Sequence, residues 1–143
     1  MKAIRIITHR SDAVYLANVV FILSKGNNAG KPLNKACQNC FAVEFELIED
    51  IERFKSLCLV LFQHRIFEIY LRGSVIPFLS IRDFRAIILK YSVLVDSFPL
   101  EFENLVSLLV KIEHQEQTNK KTLQLLSEYR RALIGEYLRK LKA

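Results

Sequence analysis

The chain has no tryptophan, one methionine, three cysteines, four glycines and three prolines among its 143 residues. So little Gly and Pro, beside 51% hydrophobic and 25% charged residues, excludes a disordered, collagenous or low-complexity protein. The longest uninterrupted apolar run is Leu57 to Phe62, far below the roughly 18 to 20 residues a membrane span needs, and no membrane segment is expected. Charges at Lys2 and Arg5 interrupt the apolar residues of Met1 to Thr8, so this segment does not read as a signal peptide. An odd cysteine count without a secretion signal predicts reduced thiols and a cytoplasmic protein, not a disulfide framework. Internal repeats, an HExxH pair, a nucleophile elbow and closely spaced catalytic carboxylates are also missing. Neither a catalytic residue, a metal site, a cofactor nor a small-molecule substrate is assigned, and the chain is not expected to be an enzyme.

What is present is enough apolar material for one core, burying about two thirds of the unfolded chain's surface. The formal charge of +6 is spread along the chain, with +3 over residues 1–48, +1 over 49–98 and +2 over 99–143. Such an excess permits nucleic acid as a partner without requiring it. A mean hydropathy of +0.17 is high for a soluble chain, and suggests apolar surface buried against another subunit or protein.

Residues Ala3 to Ile7 and Val14 to Leu23 are rich in β-branched and aromatic side chains and read as two strands. Between Lys25 and Pro32, the run Lys-Gly-Asn-Asn-Ala-Gly-Lys-Pro must turn the chain. Phe41 to Leu47 ends in apolar/polar alternation, which predicts a third strand. From Glu49 to Arg72 the apolar period becomes three and four, predicting a helix of about six turns with an acidic start, basic residues Arg65 and Arg72 near its end and Gly73 as its stop. Ser74 to Leu79 reads as an extended link. Ser80-Ile81-Arg82-Asp83 reads as a capping box opening a short helix to about Ile87, with Ile87 to Val95 strand-like.

Pro99 suits the first position of a helix, and no Pro or Gly follows until Gly135. Leu105, Leu108 and Ile112 form a heptad-like seam, lost through Gln115, Asn119 and Thr122 and recovered at Leu126, Tyr129, Leu133 and Tyr137. One rod of roughly 40 residues and about 60 Å, or a hairpin broken near Glu113 to Lys121, both satisfy this pattern. Either form needs a partner surface along the seam. The expected fold is therefore α+β: a small mixed or antiparallel sheet with a packed amphipathic helix over residues 1–98, then a long C-terminal helix or helical hairpin over 99–143.

Two short motifs invite chemical readings. Cys37-Gln38-Asn39-Cys40 is a CxxC, but zinc needs two further ligands, and Cys58, His9, His64 and His114 offer none at the usual short spacing. A small enzyme using Cys37 or Cys40 would need an exposed, low-pKa thiolate. Lys25 to Lys31 holds two glycines between lysines, yet only three residues separate the glycines and Pro32 follows Lys31, so it is not a Walker loop. It remains a Lys/Asn loop able to offer phosphates charge and base edges hydrogen bonds. His64 reads as a structural histidine beside the helix's apolar face, and His114 as solvated.

Three stretches in order carry a resemblance: Val19 to Lys31, with strand and Asn/Gly loop; Leu71 to Ser80, with Gly73-Ser74-Val75-Ile76-Pro77; and Leu126 to Ile134, with Tyr129-Arg130-Arg131 in the last helix. Together they resemble the target-recognition domain and trailing helix of type I restriction-modification specificity subunits. The resemblance implies one non-catalytic half, binding double-stranded DNA through Lys25, Asn27, Asn28, Lys31, Lys35, Arg72, Ser74, Arg82 and Arg85. A full specificity subunit has two recognition domains and two helices, so one half would restore that arrangement as a homodimer through its helix, a coiled coil with Leu105, Leu108, Ile112, Leu126, Tyr129, Leu133 and Tyr137 at the interface. The competing expectation is a regulatory or decoy module that docks onto a protein partner; Glu44 and Glu46 would oppose DNA if they faced the candidate loop.

Overall fold

Alternating apolar residues need a covered face, and the computed structural model, which describes residues 3–15 and 18–142, meets that need with one antiparallel sheet. Strands β1 (Ala3–Thr8), β2 (Val19–Leu23), β3 (Pro32–Leu33) and β4 (Cys40–Phe45) stand in the order β1-β4-β2-β3. Three helices follow: α1 (Glu49–Gln63), α2 (Ile81–Ser97) and α3 (Pro99–Lys142). The fold is α+β. By contact, residues 1–100 and 101–143 form two compact units.

The central strand β4 is buried along its whole length. Phe41 and Phe45 take one face: Phe41 stacks on Phe84 of α2 at 5.0 Å between ring centroids, and Phe45 meets Phe54 of α1 at 4.9 Å. Glu44 points to the other face, 2% exposed, with Oε1 2.7 Å from the Arg5 guanidinium. A bulge between Ala3 and Arg5 shifts the β1 register so that Arg5 stands opposite Glu44.

Several elements depart from the sequence expectation. The sheet has a fourth strand, because Pro32 and Leu33 pair with Ile22 and Phe21 immediately after the turn. Strand β2 begins at Val19; Val14 is exposed, Tyr15 lies against His9 and Phe21, and Leu16 and Ala17 of the expected strand, like Met1 and Lys2, lie outside the described residues. Helix α1 stops at Gln63, not Arg72. Ile66 donates its N–H to the Leu61 carbonyl and Arg65 to that of Phe62, with Arg65 at φ 60, a Schellman closure whose left-handed residue is Arg instead of Gly. His64 is the exposed C-cap of that helix. A 3-10 turn at Phe67–Tyr70 follows and buries Phe67 against Phe84.

Ile87 to Val95 is helical, the middle of α2. Phe84, Ile87, Ile88 and Val95 recur on one face and are buried, and that burial outweighs the β-branched character of the stretch. Ser80 is the expected N-cap, accepting from the Asp83 N–H at 3.0 Å while its hydroxyl donates to the Asp83 carboxylate. Helix α3 runs unbroken through Glu113 to Lys121, so the hairpin does not form. Among the described residues no helix is long and apolar enough to cross a membrane.

Candidate nucleic-acid interface

The loop between β2 and β3 is closed by its own backbone. Gly30 donates to the Leu23 carbonyl at 2.7 Å and Leu23 to that of Lys31 at 2.9 Å, leaving Asn27 and Asn28 exposed at the tip. Gly26 and Gly30 sit at φ 85 and 96, where side chains are strained. At Gly30 a Cβ would lie 2.1 Å from the Phe67 ring, so this loop rests on the core through a glycine.

The second segment, Arg72 to Phe78, is a tight loop closed by reciprocal hydrogen bonds between Arg72 and Phe78, at 2.9 and 2.8 Å. Gly73, expected to end a helix, instead takes φ 96 inside this loop. Two further bonds join the segments: Gly26 donates to the Pro77 carbonyl at 2.7 Å and Leu79 to the Ser24 carbonyl at 2.9 Å. Lys25 and Arg72 therefore both pair in register with Phe78, on opposite sides of it, roughly 10 Å apart at two strand spacings.

This arrangement sets the loop that carries Lys25, Asn27 and Asn28 beside the loop that carries Arg72 and Ser74, and all five residues are exposed. Arg72 is ion-paired with Asp83 at 2.9 Å, which ties the surface to the first turn of α2, where Arg82 is exposed. Among the described residues no carboxylate pairs with Lys25 or Arg82. The other candidates lie elsewhere. Lys31 lines a shallow pocket with Glu52 and Lys55 of α1, Lys35 is exposed in the β3–β4 loop, and the Arg85 guanidinium donates to the Ile6 carbonyl of β1. Glu44 does not oppose the loop: it is buried against Arg5, at the end of β4 opposite Val19, whereas Leu23 beside the loop faces Cys40.

Sequence reasoning did not single out the exposed apolar residues of the second loop. Val75, Ile76 and Phe78 are 90%, 64% and 40% exposed, and the signal for them was the extended apolar run next to Gly73. It also missed an open cavity of about 590 Å³ lined by His9, Arg10, Ser11, Asp12, Ala36, Cys37 and Gln38. There the His9 ring shares a hydrogen bond with the Tyr15 hydroxyl and packs edge-on to Phe21.

The CxxC forms a turn. The Cys40 thiol donates to the Cys37 carbonyl at 2.9 Å and receives the Cys37 N–H at 3.4 Å. Burial pushes the Cys40 thiol up to about 11, the reverse of an activated thiolate, and burial also raises Cys58 on α1. Among the described residues no group of three or more His, Cys, Asp or Glu side chains is placed to hold a metal.

In α3 the seam residues Leu105, Leu108, Ile112, Leu126, Tyr129, Leu133 and Tyr137 are all exposed, each by 42% or more. No curated protein and no solved structure matches this chain. Its sequence does match, over residues 6–136, a family described as being of unknown function, DUF6943, and the chain belongs to that family.

Proposed function

We propose that this protein is a non-catalytic DNA-binding module, similar to one half of a type I restriction-modification specificity subunit, that pairs with a second copy through α3. The observation that supports the reading is the joining of residues 24–26 to 77–79 by backbone hydrogen bonds, which sets the loop of Lys25, Asn27 and Asn28 beside the loop of Arg72 and Ser74. Lys25 and Arg82 supply charge for phosphates, and the Asn27 and Asn28 amides supply the paired donor and acceptor that read base edges. Arg72 reaches a phosphate by exchanging its bond to Asp83. Three free cysteines suit the reducing cytoplasm.

The test is binding of the full chain to random-sequence duplex DNA by fluorescence anisotropy at two salt concentrations, with the mass in solution measured on the same sample. Salt-sensitive binding by a dimer is expected, and Lys25→Ala should lower the slope of log affinity against log salt by about 1. A flat salt response, or no binding at low salt, overturns the DNA reading.

The exposed Val75, Ile76 and Phe78 favour a second reading, a protein-docking module, because an apolar centre with a charged rim is common to protein interfaces. In that case DNA is not retained, and Ile76→Asp abolishes capture of the protein partner.

A further inference from the structure

We propose that Cys37 and Cys40 are a redox-active dithiol, which exchanges with small peptide disulfides that enter the open cavity beside Cys37. Neither DNA binding nor self-pairing is required for it. Gln38 and Asn39 are the central residues of a turn between the two cysteines, so the Cα atoms of Cys37 and Cys40 lie less than about 7 Å apart. A disulfide spans roughly 4.4 to 6.8 Å between Cα atoms. The Cys40 Sγ already lies over the Cys37 backbone, 2.9 Å from its carbonyl oxygen and 3.4 Å from its nitrogen, and the two thiols interact with one another.

The sheet holds this turn from both sides. The Asn39 carbonyl accepts the Ser24 N–H at 2.9 Å and the Cys40 carbonyl accepts the His9 N–H at 2.9 Å, while Cys40 pairs with Leu23 in the ladder between β2 and β4. The two cysteines differ in access. Cys40 is fully buried, whereas Cys37 is half-buried and lines the cavity of about 590 Å³ with His9, Arg10, Asp12 and Gln38. That volume falls within the roughly 300 to 1,000 Å³ of small-molecule sites. Arg10 and Asp12 bring opposite charges to its wall, which suits a peptide carrying both carboxylate and ammonium groups.

The exchange runs in two steps. The Cys37 thiolate attacks one sulfur of the incoming disulfide; that S–S bond breaks, and the first thiolate leaves and takes up the proton that Cys37 gave up. Cys40 then attacks the Cys37 sulfur of the mixed disulfide, its proton passing to the second departing thiolate. The protein dithiol loses two electrons and the peptide disulfide gains them, becoming two peptide thiols. Burial holds Cys40 in its thiol form, so the reduced protein lacks at that position the stabilised thiolate that makes some protein disulfides strongly oxidising. The Cys37–Cys40 bond should accordingly persist against a modest excess of thiol.

The full-length protein is equilibrated in mixtures of glutathione and glutathione disulfide, quenched with acid and alkylated on its remaining thiols under denaturing conditions, and its intact mass is measured. The expected product has lost two alkylatable thiols, carries no glutathione and returns to three thiols on reduction. Cys37→Ser should stay unreacted, because Cys40 and Cys58 are buried. Cys40→Ser should stop at the mixed disulfide, with one glutathione on Cys37, and Cys58→Ser should oxidise like the unsubstituted chain. Glutathione retained on the unsubstituted chain without an internal bond overturns the pairing of the two thiols. No oxidation of the folded protein, or oxidation that survives Cys37→Ser, overturns the proposal.

A comparison of rates tests the cavity as the entrance. Arg10→Ala should slow the reaction with glutathione disulfide by about threefold at low salt, and leave the reaction with the uncharged bis(2-hydroxyethyl) disulfide unchanged. The same effect on both disulfides, or on neither, overturns the charged peptide as the ligand of the cavity.

Discussion

In the head, residues 3–100, all six residues of β4 are buried and the rings of Phe41, Phe67 and Phe84 pack together; in α3 every residue from Val110 to Leu141 except Gly135 is exposed. The head buries an apolar core of its own, through contacts far apart in sequence. The helix satisfies only its backbone, by local hydrogen bonds, and leaves its seam bare. Isolated helices are marginal in water unless an apolar face is covered; the head covers the face of its core helices, and α3 leaves its seam uncovered. Charge follows the same division. The head neutralises individual charges by specific pairs, such as Arg5 with Glu44 and Arg72 with Asp83, and α3 holds its charges in two blocks.

The largest expected effect breaks the head alone. Phe84 is fully buried between Phe41 and Phe67, and Phe84→Ala should cost about 3 to 5 kcal/mol. Urea unfolding followed by tyrosine fluorescence should show the midpoint falling with little change in slope. A loss below 1 kcal/mol would mean that these rings do not form the core of the head.

Alkaline pH comes next and also acts on the head, since α3 contains no cysteine. Burial raises the Cys40 thiol from 9.0 to about 11 in the folded chain. A folded value above the unfolded one means that the stabilisation is fully present below about pH 9 and is lost as pH rises through about 11. Across that window Cys40 contributes a loss on the order of 1 kcal/mol per pH unit, which Cys40→Ala should remove from the pH profile of the urea midpoint. An unchanged profile in that variant would show that the thiol is not held neutral by burial.

Strands and helices whose residues carry their own periodicity were legible before the structure: β1, β4, the apolar stripe of α1 and the Pro99 start of α3. Features decided by distant contacts were not. Ile87 to Val95 has strand-forming side chains, and only packing beneath the sheet makes it helix. The end of α1 was hidden because its left-handed residue is Arg65, where composition favours glycine. At the candidate site both segments stood out, through the Lys/Asn loop and through Gly73-Ser74. Their union did not, because Gly26 reaches Pro77 across fifty-one positions of sequence and no local pattern reports such a bond. Likewise Arg72 and Arg85 count equally as basic residues in the sequence, but one is held by Asp83 and the other by a backbone carbonyl of β1.

Two ion pairs of nearly equal length sharpen the contrast between the regions. Arg5 and Glu44 meet at 2.7 Å with Glu44 2% exposed, while Lys140 and Glu136 in α3 meet at 2.8 Å with both side chains more than half exposed. Distance alone would rank them together. Arg5→Met strands a buried carboxylate without its hydrogen-bond donor, and should cost about 1 to 2 kcal/mol, discounted for the half-exposed guanidinium. Thermal unfolding of the variant measures it.

Glu136→Gln should change stability by only about 0.3 kcal/mol, because water solvates both partners whether or not they meet and salt screens what remains. The comparison is made at one salt concentration by urea unfolding of both variants, and repeated at higher salt. Arg5→Met should keep most of its cost there, since the site excludes ions, and Glu136→Gln should lose its small effect. If Glu136→Gln instead cost as much as Arg5→Met, the end of α3 would have to be desolvated in the working protein. Such desolvation requires a partner covering the last turns, so a large cost here would locate the pairing surface around Glu136 itself, beside Tyr137 in the seam.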